Sequence, residues 1–182
     1  SGFNALREVS ASNNVISYVD VAEGNDITEL NVSNNQIPSL PTQKLGKLRT
    51  LNCSNNYVEE LYGNHLKELS YLDCSTNMLT ELILDQTVVE EVDCSNNKLS
   101  VFKLPNSTDM LEKFSANNCF GDDVNFKLDF TKYSKLRELS LADNAGLTEL
   151  KIPTHDRLES VVARNCNLQG TFSFSPGLRT TD

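Results

Sequence analysis

Apolar residues return along this chain in one frame. Ile27, Leu30 and Val32 are followed by Asn35 and Ile37; the set recurs as Leu48, Leu51, Cys53, Asn56 and Val58, and again as Leu69, Leu72, Cys74, Asn77 and Leu79. It continues through Val89, Val92, Cys94, Asn97 and Leu99, and through Leu111, Phe114, Ala116, Cys119 and Gly121, where Cys replaces Asn and Gly the last apolar residue. Leu136, Leu139, Leu141 and Asn144 follow, with a one-residue slip to Leu147, and then Leu158, Val161, Ala163, Cys166 and Leu168. Leu6, Val9, Ala11, Asn14 and Ile16 carry the frame back to the start. A period of roughly 20–25 residues sustained over eight segments predicts a stack of coils. No single coil can bury its apolar side alone.

Each coil opens with a short strand in which alternate residues point to opposite faces. The second and third apolar positions then point inward, and strands of successive coils pair into a parallel sheet, expected on the concave side. A second apolar alternation follows in most coils, as in Val19-x-Val21, Leu82-x-Leu84, Phe102-x-Leu104 and Leu150-x-Ile152. Its period of two predicts short extended segments on the convex side. Pro38, Pro41, Pro105, Pro153 and Pro176 fall in this half and disfavour helix there. The segment from Asp129 to Lys135 is the one place where a helix is expected. The fold class predicted is thus a β-rich solenoid with few helices.

Asn14, Asn35, Asn56, Asn77, Asn97 and Asn144 fall where the chain leaves the strand and turns through the interior. Backbone groups stranded there need partners, and an amide side chain supplies both donors and an acceptor. Cys119 and Cys166 fill the same slot as small, weakly polar groups. The stretch Leu51-Asn52-Cys53-Ser54-Asn55-Asn56 then reads position by position. Leu51 and Cys53 point inward, Asn52 and Ser54 face solvent, Asn55 makes the turn, and Asn56 braces the interior.

With coils such as LNCSNNYVEEL and LDCSTNMLTEL, at a 21-residue spacing, the chain resembles the leucine-rich repeat superfamily, most of all its bacterial surface and secreted members. The resemblance covers about residues 3–178. It implies a right-handed horseshoe acting as a ligand-binding or adhesion scaffold, and names no partner. The chain departs from the pattern at Gly121-Asp122-Asp123-Val124, which lengthens a coil, and at Asn144-Ala145-Gly146. The reading is one domain over residues 1–182, about eight coils, cut at one or both ends, with Leu178-Arg179 opening a ninth.

Composition narrows the function. A net charge of −9 and a pI near 4.7 leave no surplus of Lys and Arg to neutralise phosphates, which argues against nucleic acid. No long uncharged apolar run argues for membrane insertion. The start Ser1-Gly2-Phe3 carries no targeting segment, so any export signal has been removed or lies outside this sequence; the resemblance is what places the expected location outside the cell or on a bacterial surface, with the cytoplasm as the alternative. Five cysteines lack the paired spacing of a zinc site or disulfide scaffold, and Cys53, Cys74 and Cys94 read as buried thiols in a column of small apolar residues. His65 and His155 read as surface histidines without metal-ligand partners.

Candidate contact residues lie on the concave strands. One solvent-facing column reads Ser10, Asn31, Asn52, Asp73, Asp93, Ser115, Ser140, Val162, and its neighbour Glu8, Glu29, Thr50, Tyr71, Glu91, Lys113, Glu138, Ser160. The predicted ligand-binding set is Asn52, Tyr71, Asp73, Glu90, Glu91 and Asp93. Like charges on adjacent strands repel unless a basic group or cation lies between them. The expected partner is therefore a protein or peptide with basic groups, and the expected role is non-enzymatic, without catalytic residues, metal or cofactor. The alternatives are carbohydrate or cell-surface adhesion, or a spacer in a larger surface protein. The sequons at Asn31, Asn52 and Asn106 carry a further hint: glycans on the first two would cover the concave strands, which favours a bacterial exported protein.

Overall fold

The computed structural model describes residues 5–121, 125–170 and 172. Among these residues thirteen short strands follow in chain order. They are β1 (Glu8–Ser10), β2 (Glu29–Asn31), β3 (Thr50–Asn52), β4 (Glu60–Tyr62), β5 (Tyr71–Asp73), β6 (Glu81–Ile83), β7 (Glu91–Asp93), β8 (Val101–Lys103), β9 (Lys113–Ser115), β10 (Phe126–Asp129), β11 (Glu138–Ser140), β12 (Leu147–Lys151) and β13 (Ser160–Val162). One strand from each coil joins an eight-stranded sheet in the order β1-β2-β3-β5-β7-β9-β11-β13. Of the segments predicted to be extended on the other side, those at Leu82, Phe102 and Leu150 fall in β6, β8 and β12, which with β4 and β10 form two smaller sheets, β4-β6-β8 and β10-β12, whereas Val19–Val21 belongs to no strand. Every pairing is parallel, as it must be when each coil returns to the same side with the same polarity.

The core lies between these sheets. The central residues of β2, β3, β5, β7, β9 and β11, namely Leu30, Leu51, Leu72, Val92, Phe114 and Leu139, are all buried. Cys53, Cys74 and Cys94 continue the inward column and are wholly buried free thiols. Where the sixth coil departs from the leucine pattern, aromatic rings fill the width. Phe102, Phe114 and Phe130 pack at ring separations of 5.6 and 5.4 Å, and Phe120 meets Phe126 at 4.4 Å. Tilted pairs at these distances are the arrangement that aromatic quadrupoles favour.

Asp129 to Lys135 is not helical. Asp129 ends β10, and its Oδ1 accepts the Thr131 N–H at 2.9 Å and the Thr131 hydroxyl at 2.5 Å. Tyr133 donates its hydroxyl to the Pro105 carbonyl at 2.6 Å, and its N–H bonds to Phe130 O. The local aspartate turn and the anchored tyrosine outcompete the helical alternative. Among the described residues the helical turns are two 3-10 segments, Thr42–Lys44 and Gly63–His65. Of the irregular loop at 121–124, residues 122–124 lie outside the described residues, as do Leu178 and Arg179.

Candidate functional site

The eight-stranded sheet owes its regularity to two asparagine ladders in adjacent positions. The residue just before the Asn or Cys slot makes the turn: Asn13, Asn34, Asn55, Asn96, Asn118 and Asn165 all have φ between 49° and 59°, and Thr76 and Asp143 stand in the same position at 55° and 62°. Asn and Asp tolerate this left-handed region better than other side-chain-bearing residues. An asparagine in the slot itself brackets two coils. Asn56 Oδ1 accepts the Ile37 N–H at 2.9 Å, while its Nδ2 donates to Val32 O of the preceding coil at 3.0 Å and to Cys53 O and Ser54 O of its own. Asn35, Asn77 and Asn97 repeat the bracket, and Asn144 extends it by accepting from both Cys119 N and Phe120 N. The fold is a parallel β-solenoid of short, asparagine-bracketed coils. Among solved structures it is similar to the functional domain of InlJ from Listeria monocytogenes, whose structure includes a cysteine ladder. The match has 18% identity and a TM-score of 0.47, covering 93% of this chain and 51% of that one. No family model and no curated protein matches the chain.

On the outer face of the solenoid's main sheet, the strand register sets the order of the polar side chains. Glu8 lies beside Glu29, Thr50 beside Tyr71, and Tyr71 beside Glu91 in one column. In the other, Asn31 lies beside Asn52, Asn52 beside Asp73, and Asp73 beside Asp93. The structure thus brings Asn52, Tyr71, Asp73, Glu91 and Asp93 together on three adjacent strands. Glu90 precedes β7, with its side chain exposed and its N–H bonded to Ser70 O at 2.7 Å.

Two details change the picture of this patch. First, the polar column is partly engaged with its own backbone: Oδ1 of Asn52 accepts the N–H and hydroxyl of Ser54, at 3.1 and 2.7 Å, and Asp73 does the same for Ser75. Asp93 Oδ1 takes the Ser95 N–H at 2.9 Å. Each of these side chains therefore caps the end of its strand with one oxygen. Ser54, expected to face solvent, is drawn inward and half-buried, as is Ser75, and Ser95 is buried. Second, Lys113 on β9 stands between Glu91 and Glu138, at 3.8 and 3.5 Å, and bounds the acidic region on that side.

Towards β1 the face opens into a cleft of about 240 Å³, lined by Glu8, Glu29, Asn31, Thr50, Asn52 and Tyr71. Tyr71 is the exposed aromatic of these strands, 36% accessible. Its phenol is held above the usual tyrosine range by partial burial first, then by the negative field of Asp73, Glu91 and Asp93. The sequence-based set missed Glu8, Glu29 and Thr50 as cleft residues, although they share the column that contains Tyr71 and Glu91.

The remaining candidates fall elsewhere. His65 is exposed at the end of a 3-10 turn, whereas His155 is half-buried with Nε2 2.9 Å from Tyr133 O, a structural contact the sequence did not indicate. Among the described residues no group of His, Cys, Asp and Glu has the geometry of a metal site, and no helix is long and apolar enough to cross a membrane. Burial, with a smaller contribution from Asp73, pushes the Cys53 thiol up to about 12, so it is protonated at neutral pH.

Proposed function

We propose that this solenoid is a non-enzymatic recognition module and that the outer face of β1, β2, β3, β5 and β7 takes a protein or peptide segment bearing basic side chains. The observation that carries this reading is the charge of those strands: they hold Glu8, Glu29, Asp73, Glu91 and Asp93 and no lysine or arginine. A guanidinium or ammonium group entering the cleft meets the carboxylates of Glu8 and Glu29, with the Tyr71 ring on the same column to accept it by its face, and a second basic group further along meets Asp73, Glu91 and Asp93. Asn52, with Nδ2 available once Oδ1 is engaged by Ser54, suits a backbone carbonyl of the bound segment. Glu90 adds charge at the rim. Short strands in a continuous hydrogen-bonded ladder hold these groups in place with little reorganisation on binding.

An open face of this kind suits an exported or surface-displayed bacterial protein, and glycans at Asn31 and Asn52 would cover it. The test is binding of the purified chain to a panel of lysine- and arginine-rich, neutral and acidic peptides, with a glycan array in parallel. Basic peptides are expected to bind, Tyr71→Ala to weaken them about tenfold, and the pair Asp73→Lys with Asp93→Lys to abolish binding while circular dichroism is unchanged. Binding to glycans alone would replace this reading with adhesion, and binding to neither would leave a spacer.

A further inference from the structure

The amide bracket between coils lapses where cysteine replaces asparagine, at Cys119 and at Cys166. Cys119 stands in the slot that Asn97 fills in the coil before and Asn144 in the coil after. With no amide oxygen there, the Leu99 N–H turns to the Cys119 backbone carbonyl at 2.8 Å. The thiol keeps one part of the pattern: its Sγ lies 3.0 Å from Cys94 O, as the Asn97 Nδ2 does from Cys74 O at 3.1 Å. It also lies 3.8 Å from Cys94 Sγ. Both residues are sealed in the core, 0% and 1% accessible. Among the described residues no other pair of thiols is joined by a sulfur contact, although Cys53 and Cys74 share the inward column with Cys94.

We propose that Cys94 and Cys119 form a disulfide when the chain folds in the presence of a low-molecular-weight disulfide, and that this bond takes over the missing bracket between the fifth and sixth coils. The Cys94 thiolate attacks one sulfur of the small disulfide, forming a mixed disulfide and releasing one small thiol. The Cys119 thiolate then attacks the Cys94 sulfur and releases the second. Two protein thiols are oxidised, the small disulfide is reduced by two electrons, and the two protons leave on the released thiols. Bringing the sulfurs from 3.8 Å to bonding distance closes the gap by about 2 Å. The exchange precedes closure of the core. In the finished fold the Cys119 contact, together with burial, holds the Cys94 thiol well above its ordinary range, so little thiolate is left to react.

The test is to refold the full chain from denaturant in a mixture of reduced and oxidised glutathione, and separately in dithiothreitol. Free thiols are then alkylated in denaturant and the digests mapped by mass spectrometry. The expected product of the glutathione sample has lost two hydrogens and yields one cross-linked peptide pair, Cys94 to Cys119, with Cys53, Cys74 and Cys166 alkylated. Five alkylated cysteines, a retained glutathione adduct, or a cross-link through any other pair would overturn the proposal. Cys119→Asn restores the amide bracket and so keeps the fold; it is expected to leave four alkylated cysteines, and a cross-link from Cys94 to another cysteine in that variant would equally count against it.

Discussion

At the scale of single residues, the chain uses asparagine for two unrelated reasons in consecutive positions. Asn55 tolerates φ of 53°, and Asn56 satisfies four backbone groups of two coils. Thr76 occupies the first kind of slot with a β-branched side chain that the left-handed region penalises. Thr76→Asn is therefore expected to stabilise the fold by about 1 kcal/mol, read as a shift in the urea midpoint. Asn56→Ala leaves the Ile37 N–H unpaired in the core and removes one of the two amide donors to the Val32 carbonyl, and is expected to cost roughly 1–3 kcal/mol by the same measurement. The buried thiols set an alkaline limit. Because the Cys53 thiol moves from 9.0 up to about 12 on folding, the stability of its neutral form is full below pH 9 and is lost as pH rises toward 12. Tyr133, pushed by burial from 10.0 up to about 12, acts in the same direction over the upper part of that window. Unfolding curves collected from pH 8 to about 11 are expected to fall with pH, less steeply in Cys53→Ala.

At the scale of elements, packing decides where periodicity is silent. The 3-10 turn at Gly63–His65 lies so close to β6 that a Cβ on Gly63 would collide with the Ile83 carbonyl oxygen and press on the Thr87 methyl. Gly63→Ala is accordingly expected to destabilise by about 1–3 kcal/mol, whereas Gly46→Ala, whose Cβ would come no nearer than ordinary contact distance, 3.9 Å, to the His65 carbonyl oxygen, is expected to cost far less. Thermal unfolding of the two variants side by side separates this close approach from a general glycine effect. The failed helix from Asp129 to Lys135 has the opposite origin. Its residues contain nothing that forbids a helix, but Asp129 is drawn into pairing with Lys151 on β12 and Tyr133 reaches across to Pro105, 28 residues away. Neither partner is visible in the local sequence. Phe114, fully buried among Phe102 and Phe130, carries the width of the sixth coil, where the leucine pattern weakens.

At the scale of the molecule, charge and fold respond to salt in opposite senses. The ion pairs, such as Arg49 with Glu68 and Arg137 with Glu159, are exposed and contribute little individually. A net charge of −9 makes self-repulsion the larger long-range effect. Added sodium chloride is expected to raise the melting temperature slightly while weakening any basic peptide held on the main sheet. Calorimetry and binding titrations over the same salt series check both signs. A peptide whose affinity is unchanged by salt is not held by the carboxylates of β1 to β7.

What the sequence by itself determined is the coil: its period, the strand at its head, the inward columns and the asparagine slot. These are legible because every coil must bury the same face against identical neighbours, so the constraint is written eight times. The tertiary structure alone decided which groups those slots join. Whether Asn52 and Asp73 face a ligand freely or cap their own strands depends on the rotamer that places Oδ1 near Ser54 and Ser75. That Lys113 bounds the acidic strands, that a cleft opens from Tyr71 back to Glu8, and that the sulfur of Cys119 meets that of Cys94 are lateral contacts between coils. Periodicity sets the backbone register of such neighbours, but their side-chain distances follow from packing across the stack.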